Sequence, residues 1–392
     1  MTTMPVDVAH GSLLAAARAL APRIREGAPA AERDRRLSPA LVEAMAEAGL
    51  FRMLVPAALG GGELDVPSAL RVIEAVAHAD GAAGWCLMIG AQSGIVGGFI
   101  SEEAARPIYG DPRVITGGVL APSGRAVPVA GGYRVSGRWA FTSGVEHSAW
   151  RMGACLVLVD GVPRMVREGL PEVRVVLFPA EESRVLDTWD VSGLRATGSH
   201  DMTVEEIFVP EARTFLLVGA APSHPGSLYR FPLFGLLALG IGAVAVGIAR
   251  AAIDALVELA VTKVPTGSMR PLRQRVIAQI HVAQAEGALR AGRALLYETA
   301  HEVWTSIAAG EGATTAQRSL IRLAATTATH HAVQAVDLMY DAGGGSSIYA
   351  QSPLQRCFRD IHTLTQHIMV LPATLETAGR LFMGLESDTA VW

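Results

Sequence analysis

Cysteine is nearly missing from this 392-residue chain. Cys86, Cys155 and Cys357 are all it has, and they lie far apart in sequence. An odd, sparse count builds no disulfide framework and fits a reducing, cytoplasmic setting. Charge is also scarce: 18% of residues are charged, the formal net charge is −4, and no long basic run occurs. Nucleic acid and anionic membrane are therefore poor partners. The N-terminus, MTTMPVDVAHGSLLAAARALAPRIREG, lacks the basic-then-apolar order of a secretory signal. Metal-ligand spacing is missing too. His330 and His331 are adjacent, His362 and His367 are five apart, and no Cys or acid cluster accompanies them, so no metal site is expected.

One long uncharged run is present. Residues 231–249, FPLFGLLALGIGAVAVGIA, carry no charge, which meets the length rule for a membrane span. The pattern runs on without a break into RAAIDALVELAVTK, an ordinary amphipathic helix, and nothing else in the chain resembles it. A helix buried on all sides, in a bundle or a subunit contact, is the expectation. Inside it, Gly240-Ile-Gly242-Ala-Val-Ala245 imitates the dinucleotide pattern G-x-G-x-x-A. No strand precedes it, so the turn that gives that pattern meaning is missing and no NAD(P)H-binding domain is expected.

What is present is ordered in three textures. Half the chain is hydrophobic, and its length exceeds what one core usually serves, which implies two or three domains. Residues 12–110 read as helices, with SPALVEAMAEAGLF (38–51) opening on a Ser cap, a Gly-rich break at 55–64, and helical periodicity again over 67–99. From 113 to 218, short β-branched runs alternate with Gly, Pro and Asp, the texture of hairpins. Four long helical patterns follow, 231–262, 270–309, 314–340 and 352–384. The expected domains are 1–112, helical; 113–222, a barrel-like β domain; and 223–392, a four-helix bundle. The fold class is α+β.

That order, with several segments inside it, resembles the acyl-CoA dehydrogenase superfamily over nearly the whole chain. LFRMLVPAALGGGEL is similar to the family's entry segment. GRWAFTSG (137–144) resembles the flavin-facing strand, and GLRATGSHD (193–201) with FVP (208–210) the second flavin segment. YDAGGGSSIYAQSPLQRCFRD (340–360) resembles the stretch that meets the cofactor of a neighbouring subunit. The resemblance implies a flavin, FAD or FMN, and a homotetramer.

The residue chemistry suits a flavin. The ring is planar and needs apolar packing on its faces and polar groups along one edge. Trp139 and Phe141 offer packing. Thr142, Ser143, Thr197 and Ser199 offer hydroxyls beside Arg195, while Gly144 and Gly198 allow close backbone approach. Gly343, Gly344 and Gly345 allow the same for a pyrophosphate. Singly, each segment is also an ordinary hairpin turn or helix link.

A dehydrogenase of this family needs a carboxylate base against its substrate. In the family it is a Glu soon after the "RD" of the last helices or on the first bundle helix. Here the residues after Arg359-Asp360 read IHTLTQHIMVLP, and the first bundle helix opens LFGLLALGIG. Neither holds an acid. His367 stands at that place instead. In the superfamily's flavin-dependent monooxygenases, such as the p-hydroxyphenylacetate hydroxylase oxygenase component and dibenzothiophene monooxygenase, a His occupies it, and a Ser, here Ser143, precedes the Gly of the flavin strand. Those enzymes take reduced flavin from a separate reductase and form a C4a-hydroperoxide with oxygen. The resemblance implies that His367 and Ser143 are catalytic and donate hydrogen bonds there. It implies hydroxylation of a small aromatic or secondary-metabolism substrate, with acyl-CoA dehydrogenase-like desaturation as the alternative. That branch commonly has a second His after its GW turn. This chain reads GWCLMIGAQSG, so Trp85, Gln92 and Ser93, with His367, are the expected substrate contacts.

Overall fold

The computed structural model describes residues 6–386. Five helices come first: α1 (Val6–Asp34), α2 (Pro39–Glu47), α3 (Val66–Ala79), α4 (Gly81–Ser93) and α5 (Glu102–Tyr109). Ser38 caps α2 as its sequence suggested, accepting from Leu41 N. The run 67–99 is two helices rather than one. Asp80 ends α3, and its carboxylate caps α4 by accepting from Ala83 N at 2.9 Å. The Gly-rich break folds around buried Arg52, whose guanidinium donates to the carbonyls of Tyr109, Asp111, Leu59 and Gly60.

The β region is one twisted sheet with a short hairpin off it. Across the sheet the strands run Thr214–Leu216, Val173–Pro179, Trp150–Val159, Thr116–Val129, Gly132–Trp139, Asp201–Pro210 and Arg184–Leu186. Only the Thr116–Val129 and Trp150–Val159 pair is parallel. The sheet stays open: its first and last strands do not meet, which corrects the barrel-like expectation.

Trp139 forces a second correction. It is fully buried in the sheet core rather than offered to a flavin face. Gly124, Gly137 and Gly153 form its slot, since a Cβ at any of them would come within 3 Å of the indole. Its Nε1 donates to Ala154 O at 2.9 Å, and its ring lies 6.3 Å from Phe178. A large aromatic so enclosed anchors a domain.

The bundle comprises α6 (Leu233–Thr262), α7 (Val276–Ala308), α8 (Thr315–Gly343), α9 (Pro353–Leu364) and α10 (Ala373–Phe382). Up to Ala249 helix α6 is apolar all round because it is covered, by α3, α4, α7, α8 and α9; beyond it the helix is amphipathic. Of its most apolar stretch, 83% is buried within this chain. Gly240 and Gly247, seven residues apart, lie on the face against α4 and α3; a Cβ at Gly247 would sit 2.7 Å from Glu74 O. The glycines of the false dinucleotide pattern belong to helix packing.

The fourth pattern, 352–384, is not continuous. It breaks between α9 and α10, and a 3-10 turn at Ile368–Val370 fills the gap with His367 as its N-cap. Pro372 ends this turn. A proline disfavours helix in the residue before it.

Candidate active site

The two turns singled out in the sequence meet at one corner of the sheet. Thr142 N donates to His200 O at 3.0 Å, and Gly144 N donates to Thr197 O at 2.8 Å. Four residues of the corner have positive φ: Phe141 (61°), Gly144 (66°), Leu194 (51°) and Gly198 (51°). For Phe141 and Leu194 this is strained backbone, held by the surrounding structure.

A chain of hydroxyls runs through the corner. Trp85 Nε1, from α4, donates to Ser143 Oγ at 2.9 Å. Ser143 Oγ and Ser199 Oγ are 2.7 Å apart, Ser199 Oγ and Thr197 Oγ1 2.6 Å apart. Thr197 Oγ1 donates to Leu194 O at 2.8 Å. All four side chains are buried. A Cβ on Gly144, the next residue in the chain after Ser143, would meet nothing within 4 Å. Phe141, 71% exposed and edge-on to Trp189 at 6.2 Å, stands at the rim.

His367 reaches the same place from the bundle. Its ring lies 5.7 Å from that of Trp85 in an edge contact. Its Nδ1 accepts from Met369 N at 3.2 Å, which leaves the proton on Nε2. Burial first, then the Arg322 guanidinium, push its pKa down to about 4. His367 is therefore neutral at pH 7, with an N–H to donate. Among the described residues, no Asp or Glu hydrogen-bonds or pairs with His367, Trp85, Ser143 or Ser199.

The other expected residues are engaged in hydrogen bonds or ion pairs of their own, or lie in the bundle. Gln92 and Ser93 are buried and hydrogen-bonded across elements. Gln92 Nε2 donates to Leu236 O at 2.8 Å, and Ser93 Oγ bonds Thr116 O at 2.6 Å and Thr116 Oγ1 at 2.9 Å. Thr142 Oγ1 turns back to Trp139 O at 3.1 Å. Arg195 pairs with Asp190 at 3.2 Å within its own loop. Gly343 closes α8, its carbonyl taken by Lys263 Nζ, while Gly344 adopts a φ of 51° and Gly345 has open space around it. The three cysteines are buried free thiols, and burial raises the pKa of each.

Sequence reasoning missed two features. Arg322 of α8 is only 4% exposed, with Nη1 2.6 Å from Met369 Sδ. Its signal was a lone Arg in the apolar run SLIRLAA. The other is Asp360, 4% exposed, which accepts from Leu194 N at 2.6 Å. Burial, and then Asp80 nearby, push its pKa up to about 7. Arg359 beside it pairs with Glu32 and donates to Ser192 O. The "RD" pair thus ties α9 to α1 and to the corner loop. A cavity of about 520 Å³ opens behind the corner, but its lining of Asp34, Arg35, Arg36, Glu146 and Asp187 is too charged for the faces of a flavin ring.

Helices, open sheet and bundle closing on a corner of buried hydroxyls define a flavoenzyme of the acyl-CoA dehydrogenase fold. Residues 10–105 match the family described as Acyl-CoA dehydrogenase, N-terminal domain, and residues 239–372 match Acyl-CoA dehydrogenase, C-terminal domain. Indole-3-acetate monooxygenase of Pseudomonas putida is 34% identical over 355 residues, 90% of this chain and 89% of that protein. The flavin-dependent monooxygenase oxygenase subunit HsaA of Rhodococcus jostii is 30% identical, over 89% of this chain and 92% of its own. The structure of XiaF from Streptomyces sp. in complex with FADH2 and glycerol superposes with a TM-score of 0.89 at 25% identity, covering 97% of each chain. This chain belongs to the flavin-dependent monooxygenases of the acyl-CoA dehydrogenase family.

Proposed function

We propose that this monooxygenase is the oxygenase component of a two-component system, a cytoplasmic homotetramer that receives reduced FAD from a separate reductase and hydroxylates a small aromatic substrate. The observation that carries it is the meeting of His367, Trp85 and Ser143, with no carboxylate among the described residues hydrogen-bonded to or paired with them. A thioester desaturase needs a strong carboxylate base at that place. The likeness to indole-3-acetate monooxygenase supports an aromatic substrate, XiaF with FADH2 supports the cofactor, and a relative called an oxygenase subunit supports the reductase.

The donor set fits a flavin. The corner combines an exposed aromatic rim, open space at Gly144 and buried hydroxyls, matching a ring with flat apolar faces and a polar edge. Ser143 would meet the N5 edge, Phe141, Thr197, Gly198 and Ser199 would stand around the ring, and the Gly343–Gly345 turn would serve a neighbouring subunit's cofactor. When bound, reduced flavin supplies the two electrons with which dioxygen is divided between product and water. The residues of this chain then have separate tasks. Trp85 and the buried walls keep water out. His367 Nε2–H, on an imidazole neutral at working pH, donates a hydrogen bond on the substrate side. Met369 N fixes the imidazole orientation through Nδ1.

The test mixes the anaerobic protein and reduced FAD with oxygen and a panel of phenols and indoles, and measures hydroxylated product by mass spectrometry. Oxygen incorporation into an aromatic ring is the expected result. Desaturation of an acyl-CoA, unaffected by His367→Ala, overturns the reading.

A further inference from the structure

We infer that Asp80 and Asp360 form an acid pair that keeps a single proton, and that this proton locks the corner loop, α4 and α9 together. Opening of the junction releases it. The tie between the sheet and the two helical regions is thereby pH-sensitive, whatever ligand the candidate site takes.

The two carboxyls reach the junction from different regions of the chain. Asp80 stands between α3 and α4, Asp360 lies on α9, and both are buried. Asp80 Oδ1 accepts from Ala83 N at 2.9 Å, and Asp80 Oδ2 lies 3.5 Å from Arg356 Nε. Asp360 Oδ1 accepts from Leu194 N at 2.6 Å. The other oxygen of Asp360 faces the start of α4: a Cβ on Gly81, the residue after Asp80, would come within 3.2 Å of Asp360 Oδ2. The corner loop is seated on α9 by its backbone as well, since a Cβ on Gly193 would collide with Arg359 O.

The argument is a count of charges in a buried place. Glu32 of α1 and Arg356 and Arg359 of α9 are the charged groups that act on the pair. Arg359 is bound to Glu32 and to Ser192 O. Arg356 is then left against two carboxyls. From the other elements, α6 presents Ile248 to Gly81, and Arg195 of the corner loop pairs with Asp190. Cys86 and Cys357 stay neutral thiols, because burial raises the pKa of each. With every acid ionised, the cluster would bury one unmatched negative charge, which is costly. One proton removes it. The proton belongs on Asp360, because the arginine sits on Asp80. The titration agrees: burial, and then Asp80, push the Asp360 pKa up to about 7, while burial also raises Asp80 against the pull of Arg356. The Leu194 N–H favours the ionised form of Asp360 but counts for less than either. Once the loop lifts and water enters, Asp360 ionises from its ordinary value of 3.8 upward. Opening therefore releases one proton between 3.8 and about 7, becomes about tenfold easier per pH unit there, and levels off above.

The experiment is hydrogen–deuterium exchange of the full-length protein from about pH 5 to about pH 8, read by mass spectrometry. It follows peptides from the corner loop (186–200) and, as a reference, from the strand Trp150–Val159. After correction for the intrinsic pH dependence of exchange, opening of the corner should rise about tenfold per pH unit to about pH 7 and then level off. The reference strand should not share that slope. Asp360→Asn keeps an acceptor for Leu194 N but has no proton to release, so its slope should vanish. Asp80→Asn preserves the helix cap and removes the charge that holds the proton on Asp360. Its plateau should begin at a pH lower by about one unit or more. A wild-type corner without the slope, or with no more slope than the reference strand, overturns the inference. So does an Asp80→Asn plateau at the wild-type pH, which would make Asp360 a lone acid. Infrared spectra of the wild type give a check that needs no variant. A buried protonated carboxyl band should be present at about pH 6 and fade by about pH 8; its absence at the lower pH overturns the pair equally.

Discussion

On the sheet side of the candidate site, Ser143, Ser199 and Thr197 are buried and linked between an indole and a carbonyl. On the bundle side, His367 stands in a helix break with one backbone N–H on Nδ1 and a cation nearby. The first wall is a chain of buried hydroxyls held between two fixed ends. The second keeps a neutral imidazole with a proton to lend. The contrast separates binding from proton transfer, and each wall answers to a different perturbation.

The largest effect is expected where the sheet-side wall is tied down. Asp360→Ala leaves the Leu194 N–H, in a strained left-handed residue, without its acceptor. An unsatisfied buried donor costs about 1–3 kcal/mol, and the vacated space adds to it. Stability from denaturant titration should fall by that order, and flavin affinity with it. Asp360→Asn, which keeps an acceptor oxygen, should lose much less. Equal losses in the two variants would mean that the Leu194 bond does not secure the corner.

On the other wall, His367→Ala should leave the fold in place and uncouple the reaction. Product per flavin oxidised should drop sharply, with peroxide released instead. Quantifying product against hydrogen peroxide checks this. Coupling at the wild-type level would remove His367 from the chemistry.

The walls should also respond to pH with opposite signs. The His367 pKa falls from 6.5 unfolded to about 4 folded. The unfolded chain binds the extra proton in that window, so this contribution to stability is lost as pH drops from about 6.5 to about 4. The Asp360 pKa rises from 3.8 to about 7. The folded chain holds the extra proton, so its contribution is lost as pH rises from about 4 to about 7. Melting temperature against pH should show a shallower acid limb in His367→Gln and a shallower loss toward neutrality in Asp360→Asn. Parallel curves for wild type and both variants would contradict these assignments.

The smallest effect is at the rim. Phe141→Gly relieves a φ of 61° in a residue 71% exposed and should raise stability by roughly 0.5–1 kcal/mol. It should weaken flavin binding at the same time. A stabilised variant with unchanged flavin affinity would place Phe141 outside the cofactor site.

Much of this was legible in the sequence, for local reasons. Residues 231–249 announce a covered helix because a surface that apolar cannot face water. Thr197 and Ser199 next to glycine announce tight polar turns. Trp139 was misjudged although a signal existed: Tyr133, Val135 and Trp139 share one parity on their strand, and all three are buried. The break at His367 was foreshadowed by Pro372. Gln92 and Ser93 looked like site residues by position, whereas their hydrogen bonds to Leu236 and Thr116, distant in sequence, were not legible.

The sequence by itself determined the order of helices, sheet and bundle, the buried apolar helix, and the absence of an acid after Arg359-Asp360, since each follows from composition and periodicity along a short stretch. Only the tertiary structure decided that Trp139 turns inward, that Asp360 grips Leu194 across 166 residues, and that Trp85 meets Ser143 across 58. It alone decided the charge of His367, which depends on burial and on Arg322. The partners of a buried hydroxyl and the protonation of an imidazole are properties of neighbours in space, and the neighbours here come from five separate segments of the chain.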